Sequence, residues 1–84
     1  MKLSHVTIPW PDGLHLRHAI RLVKVAQGFH STILLKCRDE VADLRRSSII
    51  TIVALCAMAN ALDVEVAGDD EQDAARSVEQ VFLG

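Results

Sequence analysis

The sequence predicts an α+β fold, an open-faced sandwich in which a four-stranded antiparallel sheet is covered on one face by three helices. Three observations predict it. Apolar and polar residues alternate in short segments, most strictly from Leu62 to Val66, which is the pattern of strands with one solvated face. Apolar residues recur at intervals of three and four from His15 to Gln27 and again after Gly68, the period of helices with one polar side. The segments succeed one another in the order βαββαβα, and one layer of helices on one sheet satisfies both patterns. With 84 residues, 50% of them hydrophobic, and no linker or low-complexity tract, residues 1–84 are expected to form a single domain around one core.

Lys2 to Ile8 reads as a strand with Val6 and Ile8 on one face, ended by Pro9 and Pro11. Pro9-Trp10-Pro11-Asp12-Gly13 is a loop, with Trp10 expected to cover the core edge rather than to dock a partner. From His15 to Gln27 the apolar stripe is Leu16, Ala19, Ile20 and Val23, with Arg17, Arg21 and Lys24 opposite, and Gly28 stops the helix. Ile33, Leu35 and Cys37 are in phase for a half-buried strand, and Arg38-Asp39-Glu40 turns into a short partner around Val41 and Leu44. That hairpin lacks the Gly or Asn that such turns favour. Ser47 to Met58 has β-branched residues in its first half and alanines in its second, and its length and serine start favour a helix capped by Ser47 or Ser48. Leu62, Val64 and Val66 face inward in the next strand. Asp69-Asp70-Glu71 then opens a last helix striped by Ala74, Ala75, Val78, Val81 and Phe82. Acidic residues there suit a helix start, where they oppose the dipole favourably, better than a metal site. Periodicity leaves the strand order and the second helix open.

Composition narrows the function. A net charge of −2 and a pI near 6.0 lack the basic surplus that nucleic-acid binding requires. The run from Ile52 to Ala59 is too short to cross a bilayer, and Met1 to His5 lead into an alternating segment rather than a signal peptide. A cytoplasmic protein without membrane insertion is expected. Cys37 and Cys56 fit two reduced core cysteines. No metal or cofactor signature is present, nor any paired acid and base of a turnover enzyme.

The chemically distinctive stretch is Gly13-Leu14-His15-Leu16-Arg17-His18-Ala19, where a loop ending in glycine runs into a helix and sets an imidazole at the junction. The first turn of a helix carries N–H groups without intrahelical partners and a partial positive charge. Arg17 adds a guanidinium that grips phosphate or carboxylate with paired hydrogen bonds. A neutral imidazole so placed is suited to attack a phosphoryl group and carry it. His5 and His30 lack this context and read as strand-edge and loop residues.

Gly13-Leu14-His15-Leu16-Arg17 resembles the Gly-Leu/Ile-His-Ala-Arg-Pro-Ala signature of HPr, the histidine-containing phosphocarrier of the bacterial phosphoenolpyruvate-dependent sugar phosphotransferase system. Arg46-Ser47-Ser48-Ile49 resembles the Lys-Ser-Ile segment that opens the family's second helix. Val64 to Glu71 resembles its passage from strand to last helix, which ends in Gly-x-Asp-Glu. The likeness runs along almost the whole chain, in register. It implies that His15 accepts a phosphoryl group on Nδ1 from phosphorylated enzyme I and donates it to IIA proteins or domains in sugar transport or its regulation, with Arg17 stabilising the phosphoryl group. It implies a monomeric carrier rather than a turnover enzyme. Ile49 and Ile52 match positions that dock these partners, and core packing accounts for either equally well. Ser47, with Ser48 as its rival, matches a serine that an HPr kinase phosphorylates in some members; a plain N-cap is the other reading. The alternative function is an HPr-like regulatory interaction module that is not phosphorylated.

Three departures stand out. His18 replaces the signature's proline, which suits a first helical turn because it needs no N–H. A charged His18 would favour a bound phosphoryl dianion, a neutral one could compete as acceptor, and a replacement without consequence is the plain reading. A metal site from His15 and His18 lacks further ligands. Arg38-Asp39-Glu40 stands where the family turns on glycine. Ile50 and Leu55 fill positions of the second helix that are often glycine.

Overall fold

The computed structural model describes residues 1–57 and 59–83. The order is β1 (Lys2–Thr7), α1 (Leu16–Gln27), β2 (Thr32–Cys37), β3 (Glu40–Asp43), α2 (Ile49–Cys56), β4 (Ala61–Ala67) and α3 (Glu71–Leu83). The strands form one antiparallel sheet in the order β1-β4-β2-β3. The first and last strands of the alternating set are thus brought together, Val6 opposite Leu62 and Ser4 opposite Val64.

Inward residues follow the period of two. Ile33, Leu35 and Cys37 on β2 and Leu62, Val64 and Val66 on β4 are buried, while Asp63 on the opposite face is exposed. The α3 stripe is the expected one, with Ala74, Ala75, Val78, Val81 and Phe82 all buried. Two stripes differ from expectation. On α1 the buried residues are His18, Ala19, Leu22 and Ala26, whereas Leu16 is exposed. Leu16 is the first helical residue and points to solvent, and the apolar core-facing row starts at Ala19 and runs through Leu22 to Ala26. On β3 the inward position is Ala42, followed past the strand by Leu44, and Val41 points outward.

The β2–β3 hairpin forms with Cys37 opposite Glu40, leaving Arg38 and Asp39 as a two-residue turn. Arg38 adopts φ 58° there, the left-handed conformation that an L-residue enters at a cost of about 1–2 kcal/mol. On α2 the cap is Ser48, whose Oγ accepts the Thr51 N–H at 3.1 Å. Ser47 serves the preceding turn instead, its Oγ accepting the Asp43 N–H at 3.0 Å. The expected last residue of this helix, Met58, lies outside the described residues.

The acidic group before α3 does more than oppose a dipole. The Asp70 carboxylate accepts the His30 N–H at 2.8 Å, the Ser31 N–H at 3.0 Å and the Ser31 hydroxyl. These bonds tie the start of α3 to the loop between α1 and β2. They hold the Asp70 carboxyl below the usual carboxylate range, the Ser31 hydroxyl contributing most. Glu71 pairs with the N-terminal ammonium at 2.7 Å. Among the described residues, no group of three or more His, Cys, Asp and Glu side chains is arranged to hold a metal ion. No described helix is long and apolar enough to cross a membrane. Cys37 and Cys56 are free and buried, and burial, reinforced by Cys37, pushes the Cys56 thiol up to about 11, where it is an unreactive hydrophobe.

Candidate functional site

The loop after β1 closes on itself before the first helix begins. The Gly13 N–H donates to the Trp10 carbonyl at 2.9 Å, a turn with Pro11 and Asp12 at its centre. Gly13 has φ 86°, and a Cβ there would lie 3.0 Å from the carbonyl oxygen of Ala57. Glycine is therefore required twice at this position, for its backbone conformation and for the close approach of the C-terminal end of α2. Leu14 is buried and anchors the loop into the core.

His15 follows as the N-cap of α1, with extended backbone (φ −101°, ψ 176°). Its carbonyl accepts the N–H groups of His18 at 3.0 Å and Ala19 at 3.1 Å. The amides of Leu16 and Arg17 have no acceptor among the described residues, which leaves two donors free at the mouth of the helix. His15 is exposed, as is Arg17, which joins no ion pair among the described residues. An exposed imidazole, an uncommitted guanidinium and free amides thus share one helical turn. The guanidinium and the two amides can receive an oxyanion without first breaking an internal bond.

His18 is placed differently. It is only 4% exposed, and its ring lies parallel to Trp10 with centroids 3.5 Å apart and planes within 10°. Trp10 in turn leans on Phe82 of α3 at 5.6 Å. The His18 Nδ1 accepts the N–H of His15 at 3.0 Å. Burial holds the His18 ring below the usual histidine range, and the nearby charges of Arg17, His15 and Arg21 push the same way. A neutral ring whose Nδ1 is buried and already bonded is ill suited to compete as an acceptor. His18 thus joins the loop, through Trp10, to the helix start, through the His15 amide, and Trp10 carries the contact on to α3. Trp10 covers the core edge as expected, and does so through this stack.

Of the remaining positions, Ile52 is fully buried and serves the core, so it has no surface to offer a partner. Ile49 is half-buried and Ile50 is 78% exposed. Ser48 is exposed and caps α2, whereas Ser47 is partly covered. His5 pairs with Asp63 at 2.7 Å on the open face of the sheet, and the His30 backbone is held by Asp70. Neither side chain enters the site. Trp10 is a contributor that carries no local signal, since it reaches His18 only once the loop folds against the helix. Arg21 stands one turn on from His18 in α1, and helical spacing alone brings its charge near.

Residues 3–83 match the sequence pattern of the PTS HPr component phosphorylation site family. The chain belongs to the HPr family. Phosphocarrier protein NPr of Escherichia coli K12 is 32% identical to it over 71 residues, which is 83% of this chain and 78% of that protein. An HPr from Thermoanaerobacter tengcongensis superposes with a TM-score of 0.86 at 27% identity, covering 99% of this chain and 92% of that one. The histidine-containing phosphocarrier protein of Mycoplasma shares the fold at a TM-score of 0.86, with 24% identity over 98% of this chain and 92% of that one. The four-stranded open-faced sandwich with three helices is thus the HPr fold, and this HPr-family chain is a phosphocarrier protein of the phosphotransferase system.

Proposed function

We propose that this HPr-family protein accepts a phosphoryl group on His15 from phosphorylated enzyme I and passes it to IIA proteins or domains, in the cytoplasm, in sugar transport or its regulation. The observation that carries the reading is the meeting, in one turn, of the exposed His15 ring, the unbonded amides of Leu16 and Arg17, and the Arg17 guanidinium. In the proposed step the lone pair of His15 Nδ1 attacks phosphorus in line, and the bond from phosphorus to the donor breaks as the new P–N bond forms. Such a transfer asks chiefly for positioning and charge neutralisation. The helix start contributes about 0.3–1 kcal/mol, and the Arg17 guanidinium adds to it. Modest stabilisation suits a carrier, which must release what it holds.

Docking of enzyme I and IIA is assigned to the exposed side of α2, with Ile49 and Ile50 in place of the buried Ile52. Regulation by an HPr kinase is assigned to Ser48 rather than Ser47. Each hydroxyl accepts one backbone N–H, Ser48 from Thr51 and Ser47 from Asp43, but Ser47 is partly covered whereas Ser48 is exposed at the N-cap of α2. A phosphate there would favour its own helix start and oppose an acidic docking partner.

Incubation with phosphoenolpyruvate and enzyme I tests the reading. The expected product is an acid-labile, alkali-stable phosphoryl adduct that forms on the wild type, is absent from His15→Ala and is discharged on addition of a IIA protein. A protein that enzyme I cannot charge, but that still binds enzyme I through α2, would be an interaction module instead.

A further inference from the structure

His15 is gripped by its backbone as well as exposed by its side chain, and one residue contributes a bond on each side of it. His18 stands at the third helical position, where a Glu or Gln side chain reaches back to the N-cap amide in a capping box. Here an imidazole does so, with Nδ1 3.0 Å from the His15 nitrogen. Because that nitrogen receives an N–H, it carries the lone pair and the ring proton sits on Nε2. The His18 amide meanwhile donates to the His15 carbonyl at 3.0 Å, so both sides of the His15 backbone are held by the same residue. The ring doing the holding is itself fixed. It is 4% exposed and stacked 3.5 Å from Trp10, which leans on Phe82.

We infer that His18 is a positioning residue for His15: its Nδ1, locked by the Trp10 stack, fixes the N-cap backbone and so the direction in which the His15 imidazole leaves the helix mouth. The inference rests on the proposed phosphoacceptor role of His15 for its functional meaning, and on geometry alone for the contact. A proline at this position presets only its own φ and can make no such bond. The polar device here does the holding through the preceding residues instead, and makes Trp10 part of the site at second hand.

Two variants separate the bond from the stack. His18→Phe keeps an aromatic ring against Trp10 and loses the acceptor, whereas His18→Gln keeps an acceptor that reaches the N-cap amide and loses the ring. Hydrogen exchange of the His15 amide is read by NMR, alongside the rate at which enzyme I charges His15. In His18→Phe we expect exchange to quicken and charging to slow by about tenfold each, the usual worth of one hydrogen bond. His18→Gln should stay within about threefold of wild type in both. Unchanged exchange and charging in His18→Phe overturns the inference, and so does a His18→Gln protein that fails alongside it, since that assigns the effect to the stack. If the wild type is never charged, the phosphocarrier reading fails, and the order of amide exchange alone decides the positioning role. If His18→Phe does not fold, the ring nitrogen signals of wild-type His18 decide it. An unprotonated Nδ1 with the proton on Nε2 supports the inference, and a proton on Nδ1 contradicts it.

Discussion

A histidine kept neutral by the fold but free to titrate in the unfolded chain ties stability to pH. His18 is such a residue: burial comes first among the causes that lower its pKa, then Arg17, His15 and Arg21, while Trp10 and Phe82 bring no charge. Below the ordinary value of 6.5, the unfolded chain takes up a proton that the folded chain refuses. The His18 contribution is therefore fully present above that value, declines as pH falls below it, and stops declining beneath the lowered folded-state value. Urea unfolding at pH 7.5 and 5.5 should show a larger loss of stability for wild type than for His18→Phe. His5 and His30 are common to both proteins and drop out of the difference. Arg38 is a second residue under local constraint, at φ 58° in a two-residue turn. Arg38→Gly should stabilise the protein by about 1 kcal/mol, the relief of strain being partly offset by the freer unfolded chain. In a thermal melt that is a rise of roughly 4–8 °C for a domain of this size.

At the scale of elements, α2 depends on its cap more than on its amphipathicity. It is eight residues long, short enough to be marginal without tertiary support, and Ser48 satisfies one of its free N-terminal amides through the Thr51 bond. Ser48→Ala should cost about 1 kcal/mol in chemical denaturation, more than any loss at the capping end from Ser47→Ala, whose hydroxyl serves the preceding turn. Most elements were legible from their periodicity. The α3 stripe and the inward faces of β2 and β4 are where the pattern puts them, because burial on one side leaves an unambiguous period. The α1 stripe was displaced: of Leu16, Ala19, Ile20 and Val23 only Ala19 is buried, Ile20 and Val23 are half-buried, and Leu22 and Ala26 join Ala19 in the core. Leu16 satisfies the spacing but is exposed at the helix start, and Leu22 takes the core position. The β2–β3 hairpin forms on a turn without glycine because its flanking strands are held by the sheet and by Leu44 beneath it.

For the whole molecule, what local pattern could not reveal is what long-range packing decides. Strand order, the contact of Trp10 with Phe82, and the Asp70 clasp between α3 and the α1–β2 loop each join residues far apart in sequence. The glycine-to-helix junction at His15 was legible because its parts are consecutive, whereas the placement of His18 depended on Trp10 from the loop, itself backed by Phe82 of the last helix. Gly68 marks one of these joints. It has φ 152°, and a Cβ there would lie 2.6 Å from Ser31 Oγ and 2.7 Å from Ser31 Cα. Gly68→Ala should cost about 2–4 kcal/mol, because Ser31 is itself fixed by Asp70 and cannot withdraw cheaply. Equilibrium denaturation against wild type reads that loss directly. The central claim, that the mouth of α1 carries a phosphoryl group on one exposed ring, is tested most directly by mass-spectrometric fragmentation of the protein charged by phosphoenolpyruvate and enzyme I, kept at alkaline pH. The account predicts a single phosphoryl group located on His15; its location on His18, Ser47 or Ser48, or its persistence in His15→Ala, would contradict it.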